Sequence, residues 1–372
     1  MNGSARLIAR IDLDRLVTNW RALDQLSGTA QASAVIKADA YGHGVHMVGQ
    51  ALYKAGCRTF FTASIDEAVH LRSILSTAVI GYFDGLDRDD IEAVLEHNIL
   101  PSVSTTGQLA ILAETAKKQG QPIPAMIQID TGMNRLGAGP DNLTTLATSD
   151  DISAGDWRLI FSHLASADDP ASMQSTAQRE AFDQARRLFP PIPASLAATG
   201  GIALGEKYHY QMTRPGIGIY GLPPVPQLAP YLKPALSLHA RVLQIRDAKP
   251  GDHIGYNATA TLSRSSRLAT IAGGYADGVR RQLSNKGIVH KDGLTAPVIG
   301  RVSMDTTIID ITNWPSDHLT PGDWVDLIHD GYTADDMARD SDTIGYDVLT
   351  TLGLRAKRQY AGNIIDDLDI RD

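Results

Sequence analysis

Through the first part of the chain, short apolar runs rich in β-branched residues alternate with longer segments whose apolar positions follow a helical period. The runs lie at 33–38, 59–61, 78–80, 99–100, 125–129, 159–161, 194–198 and 217–220. Helical patterns lie between them, for example at 65–75, 90–96, 107–118 and 178–188. About eight strand–helix steps in roughly 200 residues favour a (β/α)8 barrel over a shorter doubly wound sheet.

The pattern changes after Gly221, where a proline-rich connector begins and helical patterns nearly vanish. Short strand-like runs follow at 238–245, 268–272, 298–299, 307–311 and 324–328, between turns such as 250–252 and 321–323. At the other end of the chain, 7–11 alternates like a strand and a helical pattern follows it. We therefore predict an α/β protein with a TIM-type barrel over 1–230 and a mostly β domain over 231–372. The first strand belongs either to the barrel or to the second domain.

Composition and charge narrow the class of protein. The hydrophobic fraction is 43% and the charged fraction 20%, as in ordinary soluble globular proteins. The net charge of −8 argues against nucleic acid or an anionic membrane as a partner. Cys57 is the only cysteine, so an internal disulfide is excluded. No run has the length of a signal-peptide core or a transmembrane helix, and we expect a cytoplasmic protein.

Lys37 is the first candidate for chemistry. It lies near the end of the apolar run 33–38, and a turn containing Gly42 and Gly44 separates it from a helical pattern that begins at Val45. Burial at a strand end lowers the pKa of a lysine and frees its amine as a nucleophile that forms a Schiff base with a carbonyl compound. The alternative is a lysine whose stem follows the strand while its ammonium group reaches water, which is the commoner case.

The sequence AVIKADAYGHG at 34–44 resembles the cofactor-lysine motif of alanine racemases, which are barrel-type enzymes that use pyridoxal 5'-phosphate (PLP). The resemblance implies that Lys37 binds PLP covalently as a Schiff base and that Tyr41 lies beside the cofactor phosphate. It also implies a PLP-dependent isomerase that interconverts L-alanine and D-alanine and supplies D-alanine for peptidoglycan. Further matches occur in the family's order along nearly the whole chain.

The family's phosphate site falls on two glycine-containing segments. Thr199 with the two glycines after it, and Gly216 with Ile217, offer a hydroxyl and backbone N–H groups to an anion at predicted strand ends. The resemblance adds Tyr346 near the C-terminus to this site. Ala198 and Thr199 stand where the family usually has Asn and Ser, which retains the hydroxyl.

Arg214 matches the family's arginine that faces the pyridine nitrogen of PLP. An arginine keeps its proton, so the nitrogen stays unprotonated and the ring is a weaker electron sink. Side reactions such as transamination are then disfavoured. Related barrel decarboxylases have a carboxylate at this position, and without the motif we would interpret Arg214 as a surface residue.

The segment 130–137, DTGMNRLG, resembles the family motif that brings an arginine to the cofactor and the substrate carboxylate. Arg135 takes that role, and Asn134 stands where glycine is usual. Gln128 occupies a position at which many members have a carbamylated lysine; a glutamine cannot be carbamylated, so we expect a neutral amide in its place. His163 matches a histidine near the cofactor. A metal site built from His43, His46, His163 and Asp168 lacks tight ligand spacing, so we predict none.

In the second domain, Tyr256 matches the family's catalytic tyrosine, with Asn257 in place of the usual glycine. A free tyrosine has a pKa of about 10, so it needs cationic or hydrogen-bonding neighbours to act as a base, and His163 and Arg214 are candidates. Two further loops match substrate-binding segments. They contain Tyr275, at the substrate entrance, and Met304 with Asp305, preceded by Ser303 where cysteine is more common.

The resemblance implies a two-base mechanism, in which Lys37 serves the D-alanine face and Tyr256 the L-alanine face. It also implies a homodimer whose active sites each join the barrel of one subunit to the β domain of the other. The alternatives are an amino-acid racemase of broader specificity, a barrel-type decarboxylase, and a PLP-binding regulatory protein. Arg214 and the absence of the decarboxylases' cysteine–acid loop argue against decarboxylation, and the full second domain argues against the regulatory protein. The choice between a biosynthetic and a catabolic racemase stays open.

Overall fold

The computed structural model describes residues 5–368 and divides into two compact units. The barrel unit comprises residues 15–40, 45–233 and 366–368, and the β unit comprises residues 5–14, 41–44 and 234–365. The sequence predicted the start of the β domain at 231. Within residues 5–368, no helix is both long enough and apolar enough to span a membrane.

The strands are numbered in chain order. They are β1 Leu7–Asp12, β2 Gln31–Ala32, β3 Ala34–Val35, β4 Thr59–Thr62, β5 Val79–Tyr82, β6 Ser102–Val103, β7 Ile123–Gln128, β8 Gly155–Phe161, β9 Ala194–Ser195, β10 Met212–Thr213, β11 Leu236–Ala248, β12 His253–Ile254, β13 Ala260–Thr261, β14 Ser266–Ala272, β15 Ile288–Lys291, β16 Leu294–Pro297, β17 Thr306–Asp310, β18 Trp324–Ile328 and β19 Lys357–Ala361. The right-handed helices are Leu13–Leu26, Val45–Ala55, Ile65–Ile74, Ile91–His97, Thr106–Gln119, Pro140–Ala147, Met173–Ala185, Thr199–Ala203, Ala334–Asp340 and Gly345–Thr350.

Strands β2 to β10 close a parallel barrel, with β2 and β3 as consecutive parts of one strand, so that the barrel has eight strands. The pairing runs from β3 through β4 to β5 and from β6 through β7 and β8 to β9. Bridges join Gly81 to Leu100 and Ala198 to Arg214, and β10 pairs with β2. The predicted (β/α)8 barrel is confirmed.

The barrel is filled by residues of the apolar runs. Every residue of β4 is buried, and the ring of Phe61 stacks on that of Phe83, with their centroids 5.2 Å apart. The helix Thr106–Gln119 of the barrel unit begins and ends beside residues suited to capping. Thr105 accepts a hydrogen bond from the Gln108 backbone N–H at the start of this helix, and Gly120 ends it with a φ of 70°.

The predicted strand at 217–220 is wrong, and the predicted strand at 298–299 contains only an isolated bridge from Val298 to Ile309. The apolar run 217–220 forms a 3-10 turn, and the last barrel strand is β10, a few residues earlier. The run is apolar because Ile217, Ile219 and Tyr220 are all buried. Burial rather than an extended backbone therefore explains its composition.

The β unit is built on a mixed sheet in the order β16–β15–β18–β11–β1–β19, to which β14 and β17 are added. Its first strand, β1, pairs antiparallel with β11 and parallel with β19. Alternate residues of β1 are buried, namely Leu7, Ala9 and Ile11. The mostly β character predicted for the C-terminal domain is confirmed.

Candidate active site

Lys37 follows β3 and opens a turn of unusual handedness. Four consecutive residues, from Ala38 to Tyr41, have φ values of 52–54°, which is the left-handed helical region. Such a conformation costs a non-glycine residue about 1–2 kcal/mol, so it persists only where the surrounding structure holds it. Within the barrel unit, the Ala40 N–H donates to the Ile36 carbonyl at 2.9 Å. The Val45 N–H donates to Asp39 Oδ1 at 2.7 Å, which caps the helix Val45–Ala55.

The Lys37 side chain is partly buried among charged groups of neighbouring strand ends. Burial lowers the pKa of Lys37, and the positive charge of Arg135 lowers it further, whereas Glu67 and Asp84 act in the opposite direction. The sequence predicted the effect of burial on this amine and, by resemblance, the nearby Arg135, but neither of the two carboxylates. A lysine with a lowered pKa supplies a larger fraction of neutral amine for nucleophilic attack.

Arg214 is buried, with 3% of its surface exposed, so the interpretation as a surface residue is excluded. Its Nη1 donates to Ser195 Oγ and its Nη2 to the Ser162 carbonyl, each at 2.5 Å. Its guanidinium carbon lies 5.1 Å from the ring centroid of Phe161. Burial lowers the pKa of Arg214 to about 9, which still leaves the guanidinium protonated at neutral pH. The barrel unit therefore holds a fixed cation beside the strand ends.

Thr199 organises the loop that follows Arg214. Its Oγ1 accepts hydrogen bonds from the Gly216 N–H at 3.1 Å and the Gly218 N–H at 3.2 Å. A Cβ at Gly218 would lie 2.6 Å from Thr199 Cγ2, so only glycine fits there. The Gly216 N–H, which we expected to be open to an anion, is directed at the threonine. The hydroxyl proton of Thr199 is left to donate elsewhere.

His163 is neutral in this environment. Burial, followed by the positive charges of Arg214, Arg135 and Lys37, lowers its pKa to about 3. Of the two roles that we considered for His163, that of a cationic neighbour is disfavoured by three nearby positive charges, and that of a hydrogen-bonding neighbour stays a prediction. In the part of the chain that the structure describes, no group of three or more His, Cys, Asp or Glu residues is arranged to hold a metal ion.

The loop that carries Arg135 is held by Asp130. Its Oδ1 accepts hydrogen bonds from the backbone N–H groups of Gly132, Met133 and Asn134, at 2.9, 2.9 and 3.2 Å. Asn134 has a φ of 56°, a value that asparagine tolerates better than most residues. At the end of β7, Gln128 is buried and its Oε1 has no hydrogen-bond partner within residues 5–368. A buried amide oxygen without a donor is suited to accept one from a ligand or a rearranged side chain.

In the β unit, the second half of the lysine motif packs against the C-terminal helix. The rings of Tyr41 and Tyr346 have centroids 6.3 Å apart. A Cβ at Gly42 would lie 2.2 Å from the Leu349 carbonyl oxygen, and Gly42 also has a φ of 79°. This close approach, rather than the cofactor itself, explains the glycine after Tyr41.

The other candidate residues of the β unit are exposed. The exposed fractions are 69% for Tyr256, 51% for Met304 and 45% for Tyr275. The loop of Tyr275 and the loop of Met304 lie together, since the Tyr275 N–H donates to the Ser303 carbonyl at 3.0 Å. Arg355, which the sequence analysis missed, binds Asp305 Oδ1 at 2.7 Å. Arg355 and Asp305 are 50 residues apart in sequence, so no local sequence pattern indicated that they pair.

Two family models match the chain, described as "Alanine racemase, N-terminal domain" over residues 11–224 and "Alanine racemase, C-terminal domain" over residues 235–360. A biosynthetic alanine racemase of Agrobacterium fabrum is 40% identical over 370 residues, covering 96% of this chain and 94% of the relative. A catabolic alanine racemase of the same organism is 41% identical over 352 residues, covering 94% and 91%.

Solved structures agree with these relatives. The crystal structure of alanine racemase from Bartonella henselae, with covalently bound pyridoxal phosphate, has a TM-score of 0.92 and 37% sequence identity. The match covers 96% of this chain and all of that one. The Streptomyces coelicolor alanine racemase has a TM-score of 0.88 and 30% identity, over 96% of this chain and 99% of the other. With both domain models matched in order and relatives near 40% identity over almost the full length, the chain belongs to the alanine racemase family.

Proposed function

We propose that this protein is an alanine racemase that interconverts L-alanine and D-alanine with PLP bound to Lys37. The observation that carries the proposal is the environment of Lys37. Its partly buried amine follows a barrel strand in the family's cofactor motif, and burial lowers its pKa. Family membership supplies the reaction, and the side chains of the barrel unit suit it chemically.

The residues present fit the cofactor. Lys37 offers an amine, the Thr199 hydroxyl proton is left to donate to a phosphate, and Arg214 offers a fixed cation for the pyridine nitrogen. Tyr41, Tyr346 and the Ile217 N–H would complete the phosphate site, by resemblance to the family, whereas the Gly216 N–H donates to Thr199 Oγ1. When bound, PLP supplies an electron sink that stabilises negative charge at the substrate Cα.

Arg214 determines the fate of the substrate once its Cα proton has been removed. Ser195 and the Ser162 carbonyl fix its guanidinium, and its pKa of about 9 keeps it charged at neutral pH. A protonated arginine cannot give its proton to the pyridine nitrogen, so the electron sink stays weak and return of the proton to Cα is favoured. This feature favours racemisation over decarboxylation or transamination.

Racemisation needs one base on each face of Cα. We assign the Lys37 amine to the proton on the D-alanine face and the Tyr256 hydroxyl to the proton on the L-alanine face. Arg135 and Met304 with Asp305 would bind the substrate carboxylate, and Tyr275 would stand at the entrance. Gln128 Oε1 would accept a hydrogen bond from the Arg135 guanidinium, in place of a carbamylated lysine.

The exposure of Tyr256, Met304 and Tyr275 supports a homodimer in which the β unit of one subunit completes the barrel site of its partner. Large apolar or aromatic side chains exposed together are typical of surfaces that meet another molecule. We further assign the enzyme to the cytoplasm and to D-alanine supply for peptidoglycan. Relatives with biosynthetic and catabolic names are equally similar, at 40% and 41% identity, so they do not separate these two roles.

The test combines adduct mapping with product analysis. The purified protein is loaded with PLP and reduced with borohydride, and peptide mapping should find the pyridoxyl group on Lys37. Chiral chromatography of reactions with a panel of L-amino acids should show D-alanine as the main product, and Lys37→Ala should form neither adduct nor product. An adduct on a different lysine would refute the assignment of Lys37. A folded, PLP-loaded protein that forms no D-alanine would refute the activity.

A further inference from the structure

Glu67 does not bind the partner that its sequence position predicts. Ser64 and Glu67 have the spacing of a capping box at the start of the helix Ile65–Ile74, in which the glutamate would accept from the Ser64 N–H. Half of that arrangement is present, because Ser64 Oγ accepts from the Glu67 N–H at 3.4 Å. The Glu67 carboxylate instead accepts from the Ala63 N–H at 2.8 Å and from the Ala38 N–H at 2.6 Å.

The contact with Ala38 acts on the peptide that follows Lys37. That peptide is planar, so fixing its N–H fixes the carbonyl of Lys37 and the direction in which the lysine leaves its strand. Ala38 is also the first residue of the left-handed turn, with a φ of 54°. A strained segment of this kind needs contacts that hold it, and a charged acceptor forms one of the stronger hydrogen bonds available.

The same carboxylate connects three successive strand ends of the barrel unit. Ala63 directly follows β4, and its carbonyl accepts from the N–H groups of Phe83 and Asp84, after β5, at 3.1 and 3.0 Å. Glu67 therefore ties the turn after β3 to the loops after β4 and β5. Capping of the helix Ile65–Ile74 does not require the contact between Glu67 and Ala38.

The charge of Glu67 also acts on the lysine amine. Among residues 5–368, the charged or titratable groups that act electrostatically on that amine include Arg135, Glu67, Asp84 and His163. The first lowers the pKa of Lys37 in addition to burial, and the two carboxylates raise it. His163 is neutral above a pH of about 3 and adds no charge. Of the two carboxylates, Glu67 is the one hydrogen-bonded to the peptide next to Lys37.

We propose that Glu67 is a positioning residue for Lys37, which it orients through its hydrogen bond to the Ala38 peptide and beside whose amine it holds a negative charge. This inference rests on the proposed role of Lys37 as the cofactor lysine and catalytic base. A base that passes a proton back to Cα has to be protonated during part of each cycle. Burial and Arg135 both lower the pKa of Lys37, and the negative charge of Glu67 opposes this decrease. A merely structural Glu67 would change the stability of the protein and nothing at Lys37.

The test uses the full-length protein with Glu67→Gln, which is nearly isosteric, and Glu67→Ala. Asp66→Asn is the matched control, because Asp66 is an exposed carboxylate in the same helical turn. Ser64→Ala is the control for loss of the helix cap. Two quantities are measured: amide hydrogen exchange at Ala38 and the pH midpoint for forming the borohydride-reducible adduct with added PLP.

We expect exchange at Ala38 to become about 10-fold faster or more in Glu67→Ala, because the acceptor of its hydrogen bond is lost, and to rise less in Glu67→Gln, where a neutral amide oxygen replaces the charged acceptor. The pH midpoint for the adduct at Lys37 should move to lower pH, since a negative charge beside the amine is removed. Neither quantity should change in Asp66→Asn or Ser64→Ala.

The outcomes separate this inference from the proposed function. If wild-type protein forms no adduct at Lys37, the proposed function fails, while exchange at Ala38 still reports on the contact with Glu67. If wild-type protein forms the adduct but the pH midpoint is unchanged in folded Glu67→Gln, or exchange at Ala38 is unchanged in folded Glu67→Ala, the inference is overturned. Thermal unfolding of each variant verifies that the protein is folded.

Discussion

Arg355 and Asp277 form a bidentate pair, in which Nε and Nη2 of the arginine donate to the two carboxylate oxygens at 2.8 and 2.9 Å. Asp277 is buried, and it lies in the same loop as Tyr275. Nη1 of Arg355 meanwhile binds Asp305 beside Met304. One arginine thus joins the two loops of the β unit that we propose to face the substrate.

We predict that Arg355→Ala raises the KM for L-alanine roughly 3- to 10-fold with a smaller effect on kcat, because Arg355 acts on the position of the substrate loops and not on the reacting atoms. Arg339→Ala is the matched control, since Arg339 is an exposed arginine paired with Asp336 three residues away. Steady-state kinetics on the PLP-loaded variants measure KM and kcat for L-alanine. Equal KM values for the two variants would show that the pair does not position the substrate loops.

The second prediction concerns the hydroxyl of Thr199. Thr199→Val keeps the shape of the side chain but removes the acceptor of two buried N–H groups, those of Gly216 and Gly218. The change also removes the hydroxyl proton that we propose is donated to the cofactor phosphate. A hydrogen bond to a charged group contributes about 1.5–3 kcal/mol, so we expect the dissociation constant for PLP to rise about 10- to 100-fold. The change is measured by titration with PLP, followed by absorbance.

Thr199→Ser is the matched control, because it retains the hydroxyl and loses only a methyl group. Its dissociation constant should stay within about threefold of the wild-type value, since one methyl group contributes little here. If the valine variant binds PLP as well as the serine variant does, the hydroxyl has no part in the phosphate site.

The alternation of strands and helices and the barrel were predictable because apolar runs and helical periods are local signals. The left-handed turn after Lys37 was not, since alanine and aspartate seldom adopt positive φ without help and the help comes from residues such as Glu67. The same holds for the charge of His163. Its pKa depends on burial and on cations distant in sequence, so the motif alone could not decide between a cationic and a neutral histidine.

The third prediction uses this histidine. The folded protein keeps His163 neutral down to a pH of about 3, whereas the unfolded chain binds a proton below about 6.5. The unfolded state therefore gains protons as the pH falls from 6.5 towards 3, and the protein loses stability in that window. Between pH 7 and pH 5 this group should lower the free energy of unfolding by about 2 kcal/mol.

His163→Gln removes the titrating group, so the variant should lose about 2 kcal/mol less than the wild-type protein between these two pH values. Urea unfolding at pH 7 and pH 5 measures the difference. His70→Gln serves as the control, because His70 is exposed on the helix Ile65–Ile74. A His163 variant with the same pH dependence as the wild-type protein would mean that the histidine is not kept neutral.

The last prediction concerns assembly. If each active site takes Lys37 from one subunit and Tyr256 from the other, a heterodimer of Lys37→Ala and Tyr256→Phe has one doubly defective site and one intact site. Each variant alone should be nearly inactive, because a positioned base typically contributes about 10²–10⁴-fold. Random pairing makes about half of the dimers mixed, so refolding the two together should restore about a quarter of the wild-type activity.

The control for this experiment is a mixture of Lys37→Ala with Lys37→Ala/Tyr256→Phe, in which no pairing can create an intact site. Native mass spectrometry of the mixtures, with one partner isotopically labelled, measures how many heterodimers have formed. Activity that rises in proportion to the heterodimer fraction supports sites shared between subunits. Exchanged dimers that stay inactive would mean that both bases come from one chain, and the exposed Tyr256 would then need a different explanation.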